Sequence, residues 1–415
     1  MKRILHIAES DKIGGASIAA CRINSSLNNY IDNRIYESRL LVKDKLSKFE
    51  NVLSPKDKIG RRVSDFKNRL LRKIFSTRYE MISKGKYITT AWPDSNLYNF
   101  FLEDYNYVPD ILNIHWLSYR TFSIEQISKL KQKIILTLHD QWAFSGAIHY
   151  DLKKLANNSY LNGYQNSYPD ILSRFLDINR HTWLRKRNNW SNKFTIITPS
   201  RWMTNCAKNS PLFRNSNIHT IPNPIDPLIW KSINKDKARK DLYLDVDKFY
   251  LSFGSINTND FRKGPDLLLQ CLIKLYEMIP INYANQIELI CFGKENIYLK
   301  KHSPFKSIFY GNIENTSLLN KIYAASNIFL IPSRVDNLPN TGVESLACGT
   351  PVVAFNTGGI PDIVDHLNTG YMAEKFRSDD LLKFRLGSVV DNLGYFASVL
   401  FSLQTSLISP ACTFC

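Results

Sequence analysis

Pro332-Ser333-Arg334-Val335-Asp336-Asn337-Leu338-Pro339-Asn340-Thr341-Gly342-Val343-Glu344-Ser345-Leu346-Ala347-Cys348-Gly349-Thr350-Pro351-Val352-Val353 is the stretch on which the fold turns. The apolar run Ile328–Ile331 enters it as a strand that the pattern carries to Ser333, and a polar loop with Asp336 follows. Pro339 suits the first turn of a helix, where its missing N–H has no intrahelical partner to lose. That helix is read over Asn340–Ala347, puts Glu344 about one turn in, and gives way through small residues to the next strand, Pro351–Phe355. A strand, a helix and a second strand in so short a span make a βαβ unit, and βαβ units build parallel sheets. The N-terminus of such a helix offers unpaired N–H groups at the positive end of its dipole, a ready place for a phosphate. Asp336 on the loop and Glu344 on the helix can flank a ligand bearing several hydroxyls.

The same alternation runs outward in both directions. Towards the C-terminus of the chain, Tyr250–Gly254, Ile287–Gly293 and Ile308–Tyr310 read as further buried strands, with helices over Gly264–Met278 and Ser317–Ala325. Nearer the start, Ile4–Ala8 leads through Gly14-Gly15 into a helix reaching about Asn29, and Ile111–Trp116, Ile134–His139 and Phe194–Pro199 follow as strands. The prolines of Ile221-Pro222-Asn223-Pro224 interrupt the pattern, and it restarts after them. We read residues 1–222 as one domain, 223–391 as a second, and 392–415 as an atypical uncharged tail in which no solvated helix face can be drawn. The class is α/β.

Composition narrows the functional classes. A chain of 415 residues, 44% hydrophobic and 22% charged, is globular and suits two or three domains. Its 54 Lys and Arg exceed its 37 Asp and Glu. The excess lies wholly in residues 1–222, with 35 basic and 18 acidic side chains, while the remainder has 19 of each. That asymmetry excludes a uniformly basic histone-like protein and gives the two halves different partners. The seven cysteines are scattered, and only Cys412 and Cys415 have metal-like spacing, with no second pair to complete four ligands. Free thiols in a reducing compartment follow. The apolar run Ile4–Ala8 is too short for a signal peptide, so the expected location is cytoplasmic.

With Asp336 and Glu344 at its acidic positions and Gly349-Thr350-Pro351-Val352-Val353 after them, the stretch resembles the signature of the GT-B, family-4 retaining glycosyltransferases of bacterial surface-polysaccharide synthesis. Asp stands where that family usually has its first Glu. Gly358-Gly359-Ile360-Pro361-Asp362-Ile363-Val364, Asn368-Thr369-Gly370-Tyr371, Ile221-Pro222-Asn223-Pro224-Ile225-Asp226 and Thr137-Leu138-His139-Asp140 also match, so the likeness spans about residues 1–380. It implies a GT-B architecture, two Rossmann-like domains facing each other across a cleft. It further implies a nucleotide-diphosphate sugar as co-substrate, held mainly by the second domain, and no cofactor. In that reading Glu344 bonds the ribose, Asp336 with Asn337, Leu338 and Asn340 holds the transferred sugar, and Lys263 neutralises the diphosphate. The family's arginine falls at Ser255, after Gly254, so Arg262 is its candidate substitute. Gly14 and Gly15 allow close approach of backbone to ligand, and His139 lies at the sugar's reacting face. No Asp-x-Asp motif sits where a metal-dependent transferase needs one, so no metal is expected.

The charge split points to where the acceptor lies. Residues 57–75 read as a helix with Ile59, Val63, Phe66, Leu70 and Ile74 on one stripe and Arg61, Arg62, Lys67, Arg69, Arg72 and Lys73 over much of the rest. The expectation is a basic face lying on the anionic inner surface of the cytoplasmic membrane, beside a polyprenyl-diphosphate-linked glycan acceptor. An ordinary domain helix with a solvated basic face is the competing reading. No stacking motif supports nucleic acid as a partner. A nucleotide-sugar epimerase, a transferase with a soluble acceptor and a non-catalytic polyanion-binding protein remain the alternatives.

Overall fold

The computed structural model describes residues 1–31, 35–54, 91, 105, 107–116, 121–150, 159–164, 177–190, 194–378 and 380–383. The tail at 392–415 and the basic residues Arg61, Arg62, Lys67, Arg69, Arg72 and Lys73 lie outside these. The chain divides into two compact units between Pro224 and Ile225.

The first unit carries seven strands: β1 (Lys2–Ser10), β2 (Tyr36–Asp44), β3 (Val52–Leu53), β4 (Ile111–Ile114), β5 (Lys133–Thr137), β6 (Phe194–Thr198) and β7 (Asn217–Thr220). They lie in the order β3-β2-β1-β4-β5-β6-β7, every pair parallel. The second unit carries β8 (Phe249–Asn257), β9 (Ile287–Lys294), β10 (Lys306–Phe309), β11 (Ile328–Ile331), β12 (Val352–Phe355) and β13 (Gly370–Ala373). Their order is β10-β9-β8-β11-β12-β13, again all parallel. Counted within each unit, the second sheet has the doubly wound order 3-2-1-4-5-6 and the first extends it by a seventh strand, and in each the order reverses once, between the first strand and the fourth. Those reversals, β1/β4 and β8/β11, open crevices at the C-terminal ends of the strands.

The strands are apolar because helices cover both faces of each sheet. Along β8, Phe249, Leu251 and Phe253 join Leu289 and Cys291 in one cluster, while Tyr250 joins Ile290, Phe292 and Phe329 in the other. The period of two thus divides each strand between two cores. Helices at Gly15–Tyr30, Pro265–Met278, Thr316–Ala325 and Asn340–Ala347 match the sequence reading to within two residues. The strand before Asp336 closes at Ile331, short of Ser333, and Pro339 caps the following helix from just outside its first turn. The helices Ile178–Asn189 and Arg201–Asn209, and the strands β2 and β7, are additions that the sequence patterns did not mark. Among the described residues no helix is long and apolar enough to cross a membrane.

Gly264 is where the second unit is most tightly fitted. It has φ +70° and precedes Pro265, the first residue of its helix, and a Cβ on it would overlap the carbonyl oxygen of Pro332. A side chain is therefore excluded twice, by the left-handed backbone and by the neighbouring loop. Gly264→Ala should cost about 1–2 kcal/mol for the left-handed backbone alone, and more as the loop at Pro332 gives way. Urea unfolding of the variant should show this as a lowered midpoint.

Candidate functional site

Three segments converge at the β8/β11 crevice. The first is the short turn Phe261–Lys263 after β8, the second is the loop leaving β11, and the third is the turn at Thr357–Gly359 after β12. Arg334 ties the first two together: its backbone N–H donates to the Arg262 carbonyl at 2.8 Å, and its guanidinium forks onto Asp266 at 2.7 and 2.5 Å. The same guanidinium lies 3.7 Å from the centre of the Phe261 ring. Thr357 donates its hydroxyl to the Arg334 carbonyl at 2.9 Å, and the Gly359 N–H donates to the Asp336 carbonyl at 2.9 Å. Gly358 has φ +59°, and a Cβ on it would overlap that same Asp336 carbonyl. The Gly358-Gly359 pair is therefore a requirement of close packing on Asp336.

At the centre is the Asp336 carboxylate, 7% exposed. Lys263 Nζ donates to Oδ2 at 2.5 Å, Arg262 Nη1 stands 3.1 Å from the same oxygen, and the Asn337 N–H donates to Oδ1 at 3.0 Å. Burial opposes ionisation here, but the two cations and these hydrogen bonds outweigh it and hold the carboxyl down at about 2. Arg262 also reaches Asp260 at 3.4 Å. The two cations thus arrive with their charge already matched by two carboxylates. Arg262 and Lys263, the two candidate diphosphate cations, share this carboxylate, and Asn337 and Leu338 next to it in the chain are buried.

Ser255 stands where the resemblance places an arginine. It is buried, and its Oγ has no hydrogen-bond partner among the described residues. Gly254, read as donor-binding, sits inside β8 where a Cβ would overlap the Phe292 ring. Packing between neighbouring strands accounts for that glycine.

Glu344 is 5% exposed and is no solvated surface acid. The Tyr323 hydroxyl donates to its Oε2 at 2.9 Å. Tyr323 comes from the helix Thr316–Ala325, fully buried among Trp230, Phe292 and Phe329. The sequence reading did not single it out; the available signal was a tyrosine within an apolar helix, whose hydroxyl needs a partner once buried. Asn340 opens the helix that carries Glu344, whose N-terminus has no side-chain cap.

The first unit offers a different chemistry at its own reversal. Gly14, with φ +93°, caps the helix Gly15–Tyr30, and a Cβ on Gly14 or Gly15 would meet nothing within 4 Å. His6 of β1, His115 after β4 and His139 after β5 form a row: His6 Nδ1 to His115 Nε2 is 2.9 Å, and His115 Nδ1 to His139 Nε2 is 3.0 Å. Burial pushes His6 and His139 down to about 4, and His115 well below its ordinary value. The row is neutral. Beside it, Asp140 accepts from the Trp116 indole at 3.0 Å and pairs with His149 at 2.7 Å. Among the described residues no group of three or more His, Cys, Asp and Glu side chains is placed to hold a metal ion.

Two doubly wound parallel sheets, one with a cation–carboxylate cluster at its reversal, define a two-unit α/β protein of GT-B architecture. Residues 248–383, within the second unit, match the family Glycosyl transferases group 1. Over 163 residues, 36% of this chain and 33% of the relative, it is 28% identical to a glycogen synthase of Clostridium beijerinckii. The chain spans about a third to a half of the length of such curated relatives. The structural likeness is broader. WaaG, a glycosyltransferase involved in lipopolysaccharide biosynthesis, superposes with a TM-score of 0.60 at 12% identity, covering 97% of this chain and 92% of that one. HepE of Anabaena in complex with UDP and glucose gives 0.55 at 16% identity, covering 98% and 94%.

The buried histidines carry a pH dependence. His6 titrates at about 4 in the folded chain and near 6.5 unfolded. Between those values the unfolded chain binds a proton that the native chain does not, so stability falls as pH drops from about 6.5 towards 4. The stability advantage of wild type over His6→Asn should shrink by up to about 1.4 kcal/mol per pH unit across that window, measured by urea midpoints at each pH.

Proposed function

We propose that this protein is a retaining, metal-independent glycosyltransferase. It moves a sugar from a nucleotide-diphosphate donor to a lipid-linked glycan in bacterial surface-polysaccharide synthesis. The observation that carries the reading is the meeting of Lys263, Arg262 and Asp336 at one strand reversal, with buried Glu344 on the helix that follows the same loop, inside the segment that matches the group 1 glycosyl transferases. Ligands of doubly wound sheets bind at such reversals. The likeness to HepE with bound UDP and glucose supports a nucleotide sugar as donor.

In this reading the diphosphate lies between Lys263 and Arg262 and the N-terminus of the helix Asn340–Ala347. Cationic hydrogen bonds and the helix dipole stabilise the charge that develops as the sugar–phosphate bond breaks. Asp336 holds both cations in place while the backbone at Asn337 and Leu338 meets the sugar. Glu344, steadied by Tyr323, binds the ribose hydroxyls. Gly14 and Gly15 leave room for ligand from the first unit, and His139 orients the reacting sugar.

The acceptor side rests on charge. A first half with 35 basic and 18 acidic side chains suits the anionic inner face of the cytoplasmic membrane and a polyprenyl-diphosphate acceptor. The likeness to WaaG agrees with that direction. The glycogen synthase relatives favour a second reading, a soluble glucan acceptor.

The test begins with a thermal-shift panel of UDP, GDP, ADP and their sugars. A true donor at about 100 times its dissociation constant should add roughly 2.7 kcal/mol of stability. Glu344→Ala and Lys263→Ala should each lower transfer at least about tenfold, about 1.4 kcal/mol of transition-state stabilisation. Tyr323→Phe should weaken donor binding in the same direction as Glu344→Ala and by less. Transfer should survive a chelator; a strict metal requirement, or full activity in a folded Lys263→Ala protein, would remove this mechanism. Charged-vesicle sedimentation and a choice between polyprenyl-linked and soluble glucan acceptors separate the two acceptor readings.

A further inference from the structure

The histidine row has a direction, and the direction follows from one buried nitrogen. A neutral imidazole carries one N–H and one lone pair. His115 uses both of its nitrogens within the row, so it donates in one bond and accepts in the other. Two arrangements remain. In one, each ring donates from Nδ1 towards His139; in the other, each donates from Nε2 towards His6. The second puts a hydrogen on His6 Nε2, which is buried and has no hydrogen-bond partner among the described residues. An orphaned buried N–H is the rarer and costlier defect, about 1–3 kcal/mol, compared with an under-used acceptor. The first arrangement leaves only a lone pair there. A separate observation favours the same direction. The Asp140 carboxylate follows His139 in the chain and acts on it electrostatically, which draws hydrogens towards the His139 end of the row.

The sheet explains why the row exists. β1, β4 and β5 are adjacent, and His6 faces Asn113 in register, so His6 and His115, two residues beyond Asn113, share one face. On that face Thr137 donates to Asn113 at 2.8 Å, one step below the histidines. The row begins deep in β1, where His6 is 1% exposed, and ends at the partly exposed His139 beyond β5. It crosses the β1/β4 reversal.

We propose that His6 and His115 are positioning residues that fix His139 as the neutral tautomer with Nε2 accepting and Nδ1 carrying the hydrogen. His139 is then a hydrogen-bond donor at Nδ1 and cannot serve there as a general base. This rests on the reading above, in which His139 meets the transferred sugar; the ligand group it suits is an accepting oxygen of that sugar, hydroxyl or ring.

The experiment uses the full chain labelled with ¹⁵N-histidine and long-range ¹H–¹⁵N correlation near pH 7. His139 should show a protonated Nδ1 and an unprotonated Nε2. His6→Leu removes the first donor and should convert His139 to a mixture of tautomers. It should lower kcat for sugar transfer about tenfold, with KM for the nucleotide sugar changed less than about twofold. His6→Asn, whose amide N–H₂ reaches the place of Nδ1, should restore both readings. A hydrogen on His139 Nε2 or on both nitrogens in wild type would overturn the proposal, and that spectrum needs no variant to fold. An unchanged tautomer and kcat in a folded His6→Leu protein would overturn it as well. A chain that turns over no nucleotide sugar would instead defeat the functional reading, while the wild-type spectrum still decides the direction of the row.

Discussion

A single buried carboxylate holds the candidate site together. Asp336 gives Oδ2 to Lys263 and Arg262, Oδ1 to the Asn337 backbone, and its own carbonyl to Gly359. Two cations taken from water into this crevice are costly unless paired, and the same holds for the carboxylate. Removing any member strands the others. The neighbouring constraints serve this cluster: Gly264 lets the cation-bearing turn press on Pro332, Gly358 lets the next turn press on Asp336, and Arg334 with Asp266 locks the two loops in register. The replacement of the longer glutamate by aspartate fits the arrangement, since the carboxyl group is satisfied close to its own backbone.

The two units solve one topological problem with opposite chemistry. Each reverses its strand order between its first strand and its fourth, and each collects polar side chains at the strand ends beside that reversal. In the second unit these are ionised and mutually paired. In the first they are imidazoles that burial keeps uncharged. A neutral row can be buried where an unpaired charge cannot, and it carries orientation through hydrogen-bond direction. The net positive charge of the first half is therefore no property of this row and belongs to side chains elsewhere in that half.

Much of the second unit was legible in its sequence, because strands buried on both faces read as unbroken apolar runs. The helix Asn340–Ala347 and the strands β9, β11 and β12 were read within two residues of where they lie. β2 escaped because Glu37, Arg39 and Lys43 break its apolar run, although Glu37 and Arg39 pair with each other at 2.7 Å. β7 escaped because it is an edge strand with little buried surface. In the site, acids and cations announced themselves by type and spacing, whereas their dependence on one another did not. Nothing in Phe261-Arg262-Lys263-Gly264 shows that its cations will share a carboxylate seventy residues away, nor that Tyr323 will meet Glu344. Such contacts exist only once strand order is set.

Glycine shows why motif and mechanism must be separated. The sequence reading assigned Gly14 and Gly254 to the ligand, while Gly264 and Gly358 stand in loops beside the cation cluster. Gly254, Gly264 and Gly358 can be compared with Gly14. The first three are filled against protein: a ring, a proline carbonyl and the Asp336 carbonyl occupy the place of their missing side chains. Gly14, like its neighbour Gly15, faces open space. A glycine that packs against protein secures the geometry of the residues around it, and one that faces open space leaves volume for something else. By that criterion Gly264 and Gly358 serve the packing around the cation cluster, and Gly14 and Gly15 leave volume beside the first helix of the first unit.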